Sequence, residues 1–119
     1  MTVHSQTWVK VNAQVDAGIA PLIEALNSHA CIRTLESCEG NEDSAWVVFD
    51  AGEGSWEPLA QFVFGAAAPA LVEAFGDRVN LLMTVSSSGL YRAEMTVAKA
   101  IIPAVSKAIK QVPKIEKAA

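Results

Sequence analysis

Tyr91, Ala93, Met95 and Val97 alternate with Arg92, Glu94 and Thr96, and a side-chain period of two suits a strand with one buried face and one wet face. Val9, Val11, Ala13 and Val15 repeat that alternation against Lys10, Asn12 and Gln14. Between the two runs the period changes. Ile19, Leu22, Ile23 and Leu26 recur at helical spacing behind Asp16 and Gly18, with Pro21 in the first turn, where a missing N–H is tolerated; this helix should end near Asn27 or Ser28. Two further strands are expected over about Cys31–Ser37 and the apolar Ala45–Asp50, joined through Glu39-Gly-Asn-Glu-Asp-Ser44.

Ser55 is placed to cap a helix opening at Trp56-Glu-Pro58, and Pro69 is expected to break or kink it, leaving a short helix that stops at Gly76. Val79–Ser86 reads as a fourth strand and Ser86-Ser-Ser-Gly89 as the turn into the fifth. A last helix carries Ile101, Ile102, Val105, Ala108, Ile109 and Val112 and ends before Pro113. The order β-α-β-β-α-β-β-α predicts an α+β fold, a ferredoxin-like two-layer sandwich with helices on one face of a mostly antiparallel sheet. A single domain is expected over 1–113, with a frayed tail over 114–119.

At 119 residues, 51% of them hydrophobic and 18% charged, the chain can bury a core and is no disordered tract. The longest apolar stretch, Phe62 to Phe75, carries Gly65, Pro69 and Glu73 and is shorter than the roughly 18 residues of a membrane span, so no membrane contact is expected. The N-terminus lacks a basic segment followed by an apolar one. Cys31 and Cys38 are too few for a disulfide scaffold, and together these features predict a cytoplasmic protein with reduced thiols.

Charge is unevenly spread. The net charge is −4, with seven acids and no base between Glu36 and Glu57, while five of the nine basic residues fall in the last 21 positions. Nucleic acid is bound largely through Lys and Arg contacts to phosphate, and only Lys107, Lys110, Lys114 and Lys117 approach such a stripe, cut by Pro113. Nucleic-acid binding is therefore not expected.

Thr34-Leu-Glu-Ser37-Cys38-Glu-Gly40 gathers two hydroxyls, a thiol and a flexible glycine where a strand runs into a loop. Gly40 can take positive φ and turn successive N–H groups inward, while Ser37 and Thr34 supply hydroxyl donors. The same residues also suit a plain hairpin turn with Cys38 as a small core group. A nucleophilic Cys38 would need a base or cation, yet Glu36, Glu39, Glu42 and Asp43 surround it; each carboxylate ~7 Å away in water opposes a thiolate by roughly 0.6 kcal/mol. His29-x-Cys31 with Cys38 beyond it matches no zinc spacing, so no metal site is expected. The residues favour non-covalent binding of a small polar or cationic ligand, with Trp46 and Trp56 either stacking on it or filling the core. Arg92 and Glu94 read as surface charges, and Asn27 either caps its helix in the left-handed region or turns its amide to the loop.

The pattern Asp16…Ile19-x-x-Leu22-Ile23-x-x-Leu26-Asn27, then Thr34-x-x-Ser37-Cys38-x-Gly40 and an apolar strand, resembles small uncharacterised bacterial and phage proteins that carry T-x-x-S-C-x-G after a Leu-Asn helix end. Over residues 16–49 it is also similar to the opening of the wybutosine-synthesis methyltransferase family, which modifies a tRNA guanine derivative with S-adenosylmethionine. That resemblance implies an S-adenosylmethionine-dependent RNA-modification enzyme. Leu35-Glu36, Glu39 and Asn41 stand where that family has a serine, a second serine and an arginine, so the shared element is the loop scaffold. The expected site is Thr34, Ser37, Cys38 and Gly40, with Asn27 and Asp16 in support; no cofactor follows from the residues themselves. The alternative is a non-enzymatic interaction module, a homodimer through an exposed strand edge.

Overall fold

The computed structural model describes residues 6–8, 14–38 and 43–113, the first two strands by backbone alone. Helices and strands appear as β1 (Gln6–Trp8), β2 (Gln14–Asp16), α1 (Ala20–Asn27), β3 (Ile32–Cys38), β4 (Ser44–Ala51), α2 (Trp56–Phe62), α3 (Ala68–Phe75), β5 (Val79–Val85), β6 (Tyr91–Ala98) and α4 (Ile102–Gln111). The α+β class is as expected: β3-β4-β6-β5 form one sheet in which every neighbouring pair is antiparallel. The finer ferredoxin-like order is not confirmed by this arrangement. Most of the alternating run Val9–Val15 lies outside the described residues; its end, Gln14–Asp16, pairs with Gln6–Trp8 in a separate two-stranded sheet. The tail over 114–119 also lies outside them.

One face of the large sheet carries the core. Ala45, Val47 and Phe49 of β4 and Ala93, Met95 and Val97 of β6 are buried, while the intervening Trp46, Val48, Glu94 and Thr96 are half-buried on the opposite face. Alternation thus survives in three dimensions as a two-sided sheet. The helices share the buried side. Phe62 of α2 meets Phe49 edge-on at 5.8 Å and His29 at 5.0 Å, and His29 Nε2 reaches the Ile109 carbonyl at 2.8 Å. A carbonyl accepts only, so Nε2 carries the proton. His29, wholly buried, ties the end of α1 to α4 and both to α2.

Pro69 marks an interruption of the α-helix without ending the helical path, and the short helix expected there, Ala68–Phe75, stops at Gly76. The turn before Pro69, Val63–Ala67, widens into a π-turn, with the Ala68 N–H donating to the Val63 carbonyl five residues back. Pro69 has no N–H for the Gly65 carbonyl and its ring would crowd that oxygen in a regular turn; the wide turn accommodates both problems. The helical path therefore runs Trp56–Arg78, 23 residues, and by length and composition it is apolar enough to cross a membrane. In this fold it lies on the sheet through Leu59, Phe62, Val63, Ala67 and Leu71, all buried. Ser55 occupies the cap position, but its hydroxyl donates to the Gly52 carbonyl at 2.7 Å and leaves the helix N-terminus uncapped by side chain.

This geometry puts Phe62 and Phe64 on opposite sides of one helix. Phe62→Ala should cost about 3–5 kcal/mol in urea unfolding, and Phe64→Ala under about 1 kcal/mol. Equal losses would contradict the helix phase described.

Candidate functional site

β3 is an edge strand of the four-stranded sheet, and its register shifts at Leu35. Thr34 stands opposite Phe49, whereas Glu36 stands opposite Val48, Ser37 opposite Val47 and Cys38 opposite Trp46. Phe49 and Val47 face the helices, so the bulge brings Thr34 and Ser37, three positions apart, to the same side. Cys38 goes to the open side with Glu36. The predicted hydroxyls are thus together and the thiol is across the sheet from them. Gly40, with the rest of 39–42, lies outside the described residues, and of Asp16 only the backbone is described, at the end of β2 beside β3.

Asn27 does what the second of its two expected roles required, at a different residue. Its Nδ2 donates to the Ile23 carbonyl and to Thr34 Oγ1, both at 2.9 Å. Both hydrogens of the amide are used, one on a carbonyl of the last helical turns and one on the strand. The left-handed cap does not occur: among the described non-glycine residues only Glu53 has positive φ.

Charge around β3 is more balanced than the sequence count suggests. Arg33 Nε donates to Asp50 Oδ1 at 3.1 Å and Nη2 to Oδ2 at 2.7 Å, a two-point contact with a buried carboxylate. The hydrogen bond first, then the charge of Asp50, push the Arg33 guanidinium up from an already high value. Asp50 therefore belongs to a structural pair and adds nothing to an acidic rim.

His29 cannot reach Cys38. It sits before β3, while Cys38 ends it, six strand steps of about 3.3 Å away, roughly 20 Å. Among the described residues no three His, Cys, Asp or Glu side chains are grouped to hold a metal ion. Burial pushes the Cys31 thiol up, against a smaller lowering by its own backbone.

Sequence reasoning passed over a second region. Trp56, Phe64, Val72, Leu82, Val85 and Leu90 are between 44% and 61% exposed. Trp56 meets Tyr91 at 5.1 Å and Phe64 at 6.5 Å, so neither a ligand platform beside the loop nor the core describes it. Gly54 sets this contact: its φ is +92, its carbonyl accepts the Tyr91 N–H at 2.9 Å, and a Cβ there would stand 3.0 Å from the Leu90 side chain. Phe62 faces α1 and α4 through His29; Phe64, about 200° further round the helix, faces the other way and meets Trp56. Trp56, Ala60, Phe64, Ala68 and Val72 lie along that outer side at steps of four. The available signal was the surplus of apolar residues in 56–75 over what one buried stripe needs.

The folded state holds the Cys31 proton more tightly than the unfolded chain, so the stability it contributes is complete below the ordinary thiol value of 9.0 and falls as pH rises through it. Cys31→Ala should flatten the alkaline loss of stability in urea titrations above about pH 9, and identical slopes for both proteins would contradict this. Against known proteins, the chain matches no family model, no curated protein and no solved structure.

Proposed function

We propose that this chain is a non-catalytic protein-interaction module that docks through the flank formed by β5, the β5–β6 turn and the outer side of the α2–α3 helix. The observation that carries the reading is that the large apolar residues exposed among the described residues, six in number, fall on those elements. Val85 lies on the helix side of the β5 edge and Leu82 on its other face, and exposed apolar side chains gathered along one edge mark interaction sites. Trp and Tyr within it, as Trp56 and Tyr91, are the side chains that most often dominate interface energies. Photo-crosslinking residues placed at Phe64 and Leu82 should give protein adducts in the native host, and the same residues at Glu36 and Lys107 should not. No protein adduct from either flank position would end the reading.

A ligand-binding role at Thr34, Ser37, Cys38 and Gly40, supported by Asn27 and Asp16, is favoured by one observation: the Asn27 amide fixes the Thr34 hydroxyl to the helix end. Backbone amide shifts over residues 34–40 on titration with S-adenosylmethionine, nucleosides or amino acids would support it. A flat response to all three classes would remove it.

A further inference from the structure

β5 reads Val-Asn-Leu-Leu-Met-Thr-Val, seven residues at the sheet edge with no charge, no proline and no glycine. Edge strands in soluble proteins are usually protected by one of these devices, because open N–H and C=O groups invite another strand. The polar groups that β5 turns outward follow from its ladder. The Ser86 N–H donates to the Leu90 carbonyl at 2.9 Å, and antiparallel pairs alternate, so Thr84, Leu82 and Asn80 point their backbone groups at β6. Val79, Leu81, Met83 and Val85 point theirs away from the sheet. These same four residues stand opposite Val97, Met95, Ala93 and Tyr91, which places their side chains on the helix face.

We infer that β5 pairs antiparallel with β5 of a second copy about a two-fold axis at Leu82, joining two four-stranded sheets into one of eight strands. This inference rests on the interaction reading above and names its partner. The register is self-complementary. Leu81 lies opposite the partner's Met83, Val79 opposite the partner's Val85 and Asn80 opposite the partner's Thr84, with the two Leu82 side chains meeting on the axis. Each outward-facing residue then falls in a hydrogen-bonded pair, since the axis passes through a non-hydrogen-bonded one. Asp77 and Arg78, the charges preceding the strand, fall opposite the partner's Ser87 and Ser86.

Two features select a second copy over an unrelated chain. β5 carries no charge over its seven residues, so pairing it with itself sets no like charges face to face within the strand, although the net charge of −4 on each copy opposes association. α3, which carries Ala68 and the exposed Val72, packs on β5, and a two-fold axis at that strand brings α3 toward its own equivalent. Strand and helix together make a flank about 25 Å long and about 20 Å deep, on the order of 500–600 Å² per copy, which reaches the lower end of the range for specific dimers.

The test is mass in solution against concentration, by light scattering and sedimentation, over about 1–500 μM. Wild type should approach twice the 12.6 kDa chain mass. Leu82→Lys and Leu82→Glu each place like charges face to face on the axis, and each should weaken association by about tenfold or more, with circular dichroism and melting showing the monomer fold intact. Mixed in equal amounts, the two variants should dimerise again, because the axis then pairs opposite charges. A wild-type chain that stays monomeric at the highest concentration overturns the inference, as does a dimer unaffected by both variants or not restored on mixing. Flank crosslinks to a different protein, together with a monomeric purified chain, would overturn self-pairing while leaving the interaction reading in place.

Discussion

A proline without an N–H governs the long helix, and the long helix governs the shape of this molecule. In a regular α-helix, steps of four residues overshoot the turn by about 40° each, so a buried stripe at such spacing drifts off the core. The π-turn over Val63–Ala67 absorbs part of that drift ahead of Pro69. Leu59, Val63, Ala67 and Leu71 consequently stay on the sheet, all nearly sealed from solvent. Phe62 keeps its place against Phe49 and His29, and His29 in turn holds α4 through the Ile109 carbonyl. The same phase turns Phe64 and Val72 outward. The apolar flank is thus a direct consequence of how the core is packed, because one helix cannot bury both stripes against a single sheet face.

The two edges of the sheet are built differently. β3 carries a bulge, an arginine tied to a buried aspartate, and a hydroxyl held by Asn27. Bulges and charges of this sort discourage strand addition. β5 has neither, and its neighbours in space are aromatic and aliphatic side chains. An edge with open hydrogen-bonding groups beside an exposed apolar helix combines the two driving forces of sheet extension: backbone pairing for geometry and side-chain burial for affinity.

Much of this could be read from residue order. The alternation in Tyr91–Val97 gave a strand with the correct buried set, and the helical spacing of Ile19, Leu22, Ile23 and Leu26 gave the correct face of α1. Pro69 announced the interruption and the short helix ending at Gly76, but not its form, because a π-turn has no sequence signature as local as the proline itself. The bulge at Leu35 was equally hidden: Thr34-x-x-Ser37 looks split across a plain strand, and only the register with Phe49 and Val47 shows the two on one side. The pairing of Arg33 with Asp50, 17 positions apart, is invisible to any local count of charge. Trp56 could not be placed from its neighbours either, since its contact with Tyr91 depends on how Gly54 docks against the β5–β6 turn.

Hydrogen exchange along β5 tests most directly whether this edge is covered in solution. The amides of Asn80, Leu82 and Thr84 bond within the sheet and should exchange slowly at every concentration. Those of Leu81 and Met83 face outward and should be protected at high concentration and exchange rapidly on dilution. Rapid exchange of Leu81 and Met83 at all concentrations, beside slow exchange of their neighbours, would mean an open edge and contradict the account.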